Sequence, residues 1–201
     1  MRGVVIAAVA GMGLSLAATD APRAQERPPI DEDRAVAVVK GGLGGVCELD
    51  RGMVATMRPE VYRLDEPPAY EGGEDRHYVL YAVACSSGAY NVTWVFLVDE
   101  GYDGPMPQGF ATPKLRIDYE DDAQERLRSV RVDGFESWFR LTNARFDPET
   151  RTVVSNGLWR GLGDASDSGT WAFEEGRFVL QRYEVDPTYD GEVTPQVVFE
   201  R

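Results

Sequence analysis

Five residues near the middle of the C-terminal half have the types and spacing of a calcium site. Asp164, Ser166 and Ser168 stand at the first, third and fifth positions of a loop, Gly169 at the sixth and Glu175 at the twelfth. In that pattern a tight turn lets alternate oxygens converge, and the distant carboxylate closes the coordination shell. Two features argue the other way. The early ligands include two neutral serines, and the flanks read as strands rather than helices. The alternative is a solvated hairpin whose glycines serve backbone geometry, with Glu175 in a Glu-Glu-Gly turn. The same stretch offers a candidate binding loop made of Trp159, Arg160, Gly161, Gly163, Asp164 and Trp171, in which Arg160 and Asp164 could pair. Gly161-Leu162-Gly163 is not a dinucleotide fingerprint, because the third glycine is missing and the context is β.

Other reactive residue types are sparse. His77 is the single histidine, and at a strand start it reads as structural. No serine sits in a nucleophile-elbow pattern. The carboxylates number 34, so counting alone singles out no glycosidase-like pair. No catalytic residue is therefore assigned, the chain is read as a non-enzyme, and no cofactor other than calcium is expected. Cys47 and Cys85 are the only cysteines. In an exported chain an isolated pair is most simply one disulfide; a thiol pair or half a metal site are the alternatives, with only His77 available as a histidine ligand. Trp94, Trp138, Trp159 and Trp171 serve either the core or a binding platform.

The chain carries a formal charge of −13. Such a surface repels phosphate backbones and anionic headgroups, so nucleic acid is not an expected partner. Residues 1–24 read as an export signal. Arg2 is a short positive start, Val4 to Leu16 is apolar or small, and Ala17 and Ala24 are candidate cleavage points. The apolar run is too short to be a stable anchor, and no later segment is apolar enough to span a bilayer. Residues 25–30 read as a linker, and 31–201 as a single mainly-β domain. With 43% hydrophobic residues, a chain of 201 residues has enough apolar material for one core.

The elements that must position these residues follow from periodicity. Asp31 caps a short helix carrying Ala35, Val36, Val38 and Val39 on one stripe, and the glycines from Gly41 end it near Lys40. Val54 to Leu64 reads as an irregular strand or strand pair broken near Pro59. His77 to Cys85 is apolar on both faces and belongs in the middle of a sheet. Tyr90 to Val98 returns beside it. Leu115–Tyr119 and Leu127–Val132 are further strands, the latter closed by an Asp133-Gly134 turn. Arg151–Trp159, Trp171–Phe173 and Arg177–Tyr183 follow, the last two joined across Glu174-Glu175-Gly176. A final strand spans Val193–Phe199, with Pro195 suited to an edge. The fold class is mainly β, with antiparallel sheets and one short N-terminal helix. A sandwich, a curled sheet and a partial propeller all satisfy this pattern.

Two blocks resemble a known family. Ala84-Cys85-Ser86-Ser87-Gly88-Ala89-Tyr90-Asn91, and Phe146-Asp147 through Arg160-Gly161-Leu162-Gly163-Asp164 to Trp171 and Phe178, are similar to domain-of-unknown-function family 1176. The resemblance covers roughly residues 30–201. It implies an exported protein of a Gram-negative bacterium, a periplasmic home and an upstream half-cystine matching Cys47. It also implies a second cystine in relatives, at positions that are Ala165 and Tyr189 here, and a longer chain than this one. It implies no activity. The favoured functional reading is a non-catalytic periplasmic domain that binds an envelope component or protein, with inhibition of a cell-wall hydrolase through the Arg160–Gly169 loop as its most concrete form. A calcium-stabilised structural module and a carboxylate-based hydrolase are the other readings.

Overall fold

The structure, a computed structural model, describes residues 27–201. The proposed export signal lies outside the described residues. In chain order the elements are α1 (Glu32–Leu43), β1 (Glu60–Glu66), β2 (Arg76–Ser87), β3 (Val92–Asp99), β4 (Met106–Pro107), β5 (Phe110–Tyr119), β6 (Leu127–Trp138), β7 (Leu141–Thr142), β8 (Arg145–Asp147), β9 (Thr152–Leu158), β10 (Ser166–Glu174), β11 (Arg177–Asp186) and β12 (Gln196–Glu200). All strand pairs are antiparallel. One sheet has the order β1-β2-β3-β4, with β7 also on β3; a second has the order β12-β11-β10-β9-β8; β5 and β6 form a separate ribbon. The fold is mainly β, and of the three open architectures it is a sandwich.

The two-sided apolar pattern of β2 and β3 explains the layering. Leu80, Ala82, Phe96 and Val98 join Phe146, Val153, Trp171, Phe173, Phe178 and Leu180 of the second sheet in the main core. Val79, Tyr81, Val83, Val95 and Leu97 point the other way and pack with Ala35 and Val39 of α1. A sheet covered on both faces needs apolar residues at every position, and β2 supplies them.

The Asp31 side chain accepts a hydrogen bond from the Arg34 amide at 2.9 Å, as an N-cap should. The helix ends soon after Lys40, as expected. It runs through Gly41 and Gly42 to Leu43 and closes when the Val46 and Cys47 amides both donate to the Leu43 carbonyl. Cys47 is disulfide-bonded to Cys85 at the end of β2. Residues 27–30, expected as a linker, lie against the first sheet: Arg27 pairs with Asp65, and Arg63 donates to the Pro28 carbonyl.

Two local expectations are corrected. Val54–Thr56 is a turn of 3-10 helix, and the strand begins only after Pro59, at Glu60. Asp133-Gly134 does not reverse the chain. Lys114 faces Gly134 and Leu115 faces Val132, so Asp133 is the extra residue of a bulge within β6. The reversal between β5 and β6 is built instead at Asp121, whose carboxylate accepts the amides of Glu125 and Arg126. The Glu175-Gly176 turn is as expected: Glu174 faces Arg177, and both central residues have positive φ (51° and 78°), the signature of a two-residue I′ connection. Buried Glu66 pins this turn to the first sheet by accepting the Glu175 amide and an Arg151 N–H, while also pairing with Arg76.

Candidate functional site

The loop between β9 and β10 is closed at its base by the Trp159 amide donating to the Ala165 carbonyl at 2.9 Å. Within it the Gly163 amide donates to the Arg160 carbonyl, and Gly163 takes φ +80°, a value that favours glycine. Arg160 and Asp164 form a two-pronged pair; the Arg160 Nε to Asp164 Oδ1 arm measures 2.6 Å. Asp164 Oδ2 also accepts the Gly191 amide at 2.9 Å, and Arg160 donates to the Tyr189 carbonyl at 3.0 Å while its guanidinium lies over the Tyr189 ring. The loop is thus fastened to residues 189–191. By family resemblance these are the two segments expected to share a second cystine in relatives; in this chain hydrogen bonds from the Arg160–Asp164 pair to Tyr189 and Gly191 join them.

The Arg160 hydrogen bonds hold the Asp164 carboxyl well below the usual carboxylate range, and the Gly191 amide acts in the same direction against the effect of burial. The sign follows by linkage. A carboxyl depressed in the folded state contributes stability that is fully present above the unfolded value, about pH 4, and is lost as pH falls towards the folded one. Asp164→Asn is therefore expected to be less stable than the wild type at neutral pH, with the gap narrowing steadily below about pH 4. Urea midpoints across a pH series measure it; a gap of constant size would contradict the assignment.

The first family-like block meets the second here. Asn91 Nδ2 donates to the Leu158 carbonyl at 2.8 Å, and the Leu158 amide donates back to Asn91 Oδ1. Asn143 bridges the same junction: its Nδ2 donates to Asn91 Oδ1 and to the Asn156 carbonyl, and its Oδ1 accepts the Val92 amide. Asn143 sits at φ +46°, a conformation asparagine tolerates better than most residues. The Tyr90 ring lies against Gly161, where an added Cβ would come within 3.3 Å of it.

Beside the loop is a cleft of about 260 Å³, lined by residues of both sheets and of the β5–β6 ribbon. Trp171 forms its floor, Trp138 and Arg140 its outer wall, and Asp167, Tyr183 and Ser155 line it. Asp167 Oδ1 accepts Trp159 Nε1–H at 2.7 Å and its Oδ2 accepts the Tyr183 hydroxyl at 2.6 Å. Gly157 opposite makes room, since a Cβ there would stand 2.7 Å from Asp167 Oδ1. Burial, reinforced by the Asp167 charge, pushes the Tyr183 hydroxyl strongly up, so it stays protonated and donates.

The residues of the calcium pattern are not brought together. β10 is extended throughout, and at about 3.3 Å per residue it separates Asp164 from Glu175 by roughly 26 Å of strand. Ser168 donates to Glu184, and Asp164 is occupied by Arg160. Gly169 makes no tight turn; it leaves space for the Trp171 ring. Of the binding-loop residues, Trp159, Arg160, Gly161 and Gly163 reach the surface, whereas Asp164 is buried beneath them and Trp171 is fully buried between the sheets. Trp94 packs partly buried against the main core. His77 pairs with Asp65 through Nδ1 at 2.7 Å on the first sheet. Asn143, Asp167, Tyr183 and Arg140 carry no local signal in the sequence, and Trp138 reads there only as core or binding platform; the structure brings Asp167, Tyr183, Trp138 and Arg140 to one cleft.

A family model described as "Protein of unknown function (DUF1176)" matches residues 15–196, which takes in both blocks, the loop and the cleft. The chain belongs to this family. Beyond the DUF1176 match, the chain is 29% identical over 114 residues to the "Uncharacterized protein YpfG" of Escherichia coli (strain K12). That stretch is 55% of this chain and 28% of the relative, so the chain spans less than a third of the protein it matches. No solved structure matches it. The Arg160–Asp164 pair, Asn91 and the Cys47–Cys85 disulfide therefore describe a DUF1176 chain at the level of individual contacts.

Proposed function

We propose that this chain is an exported, non-catalytic domain that binds a component of the bacterial envelope through the face formed by the Trp159–Ala165 loop and the adjoining cleft. The observation that carries this reading is the locking of the loop. Asp164 and Arg160 spend their polar groups on each other, on Gly191 and on Tyr189, while Leu162 at the tip is left 70% exposed. A rigid apolar tip held by internal bonds is preorganised for contact and loses little entropy on binding. Acid–base chemistry instead needs a group with a pKa near the operating pH, and Asp164 is held far below it. Export is supported by the leader-like residues 1–24 and by a disulfide, which persists in oxidising compartments.

Alkaline phosphatase fused after residue 30 is expected to be active in cells; an inactive fusion overturns export. The chain from residue 25 onward is expected to co-sediment with isolated envelope fractions. Leu162→Asp, which adds a charge at an exposed position without touching the core, is expected to reduce that binding about tenfold, the scale of one lost contact residue. Sedimentation no greater than that of an acidic control protein of equal size overturns the binding reading.

A further inference from the structure

We propose that the cleft between the sheets is a saccharide site, taking one uncharged pyranose ring against the Trp138 indole. This rests on the envelope-binding reading and names its ligand class. At about 260 Å³ the cleft falls below the roughly 300–1,000 Å³ of pockets that enclose drug-sized molecules, so it has room for a single ring whose neighbours cross the open rim.

The lining has the mixed character a sugar requires. A pyranose presents an apolar C–H face and an edge of hydroxyls, each both donor and acceptor. Trp138 is 47% exposed. The two tryptophans beside it are committed: Trp171 Nε1 donates to the Ala111 carbonyl, and Trp159 Nε1 to Asp167. Trp138 is thus the indole left to offer a ring face, with its own N–H at the edge. The polar side is held in place beforehand. Each Asp167 oxygen already receives one hydrogen bond, which fixes the carboxylate and leaves a lone pair on each oxygen for a ligand hydroxyl. Ser155 is 4% exposed, and no hydrogen bond among the described residues engages its hydroxyl. Arg140 spends one N–H on the Val46 carbonyl and keeps further donors on the rim.

Charge narrows the class. Asp167 and Arg140 balance within the cleft, while the chain as a whole carries −13. A polyanion would be repelled, and a neutral or N-acetylated sugar would not. Asp167 is also the one carboxylate among the described lining residues, whereas glycoside hydrolysis ordinarily uses two. The site is built to hold a sugar rather than to cleave it.

Titration of the chain with the tetramer of N-acetylglucosamine and with maltotetraose, followed by tryptophan fluorescence and calorimetry, tests this. Saturable binding of at least one is expected, and the two arms separate acetamido sugars from plain glucans. Trp138→Ala is expected to weaken it about tenfold or more, the effect of one lost stacking contact, with an unchanged melting midpoint. If that variant unfolds, Arg140→Ala on the rim supplies the same comparison. Flat titrations with both sugars, or full affinity in the variant, overturn the proposal. Envelope association without sugar binding removes this inference alone, and an inactive phosphatase fusion removes the reading beneath it.

Discussion

Trp171→Ala is expected to destabilise the protein by about 3–5 kcal/mol, the usual cost of emptying a large aromatic site in a core. The side chain is fully buried and meets Phe110 and Tyr183 edge-on, with ring centroids 5.4 and 6.3 Å apart. Its Nε1–H donates to the Ala111 carbonyl at 2.9 Å, so truncation also removes a hydrogen bond to β5. Three elements depend on it: β10, which carries it; β11, through Tyr183; and the β5–β6 ribbon, through Phe110 and Ala111. For a domain of this size the loss corresponds to a fall in melting midpoint of roughly 6–20 °C. Gly169→Ala offers a second route to the same site, because the new Cβ would collide with the Trp171 ring. Overpacking of this kind costs about 1–3 kcal/mol. Thermal melts followed by near-UV circular dichroism measure both; a midpoint within error of the wild type for Trp171→Ala would mean that the sheets are not held together as described.

Breaking the Cys47–Cys85 bridge is expected to cost about 2–5 kcal/mol. The bridge spans 38 residues, for which the chain-entropy account gives roughly 4 kcal/mol. It matters more here than loop length alone suggests. α1 buries only Ala35 and Val39 to the full extent, and the segment after it returns to the sheet chiefly through the cystine and the Glu48 amide, which donates to the Cys85 carbonyl at 2.7 Å. In the double variant Cys47→Ala, Cys85→Ala the helical layer should open before the sandwich does. Amide exchange in residues 32–48 is expected to accelerate more than exchange in β2 and β10, and the melting midpoint to fall; reducing agent should reproduce both effects in the wild type. Uniform exchange across the chain, with an unchanged midpoint, would show that the bridge tethers nothing.

The local signals were legible wherever a short stretch decides its own conformation. The Asp31 cap, the two-sided β2 run and the Glu175-Gly176 turn all appear where the sequence put them. The Arg160–Asp164 pair was legible too, since four residues in a tight loop have few ways to avoid each other. Asp133-Gly134 shows the limit. Its turn propensity is outweighed because pairing continues on both sides, from Phe110 with Trp138 to Tyr119 with Leu127, and a bulge absorbs the extra residue. The residues of the calcium pattern lie spread out for a related reason: its spacing assumes a wrapped loop, and cross-strand pairing with β9 and β11 extends Ser166 to Glu174 into a strand.

The order of residues by itself determined the β class, the short helix ahead of the strands, the cystine and membership of a family of unknown function. Only the tertiary structure decided that Gly191 and Tyr189 fasten the loop, and that Asp167, Tyr183, Trp138, Arg140 and Ser155 share one cleft. The physical reason is that strand periodicity tells which face a side chain occupies but not which strand lies opposite. Sheet order and register bring residues from β6, β9, β10 and β11 to one place, and no local preference encodes that meeting.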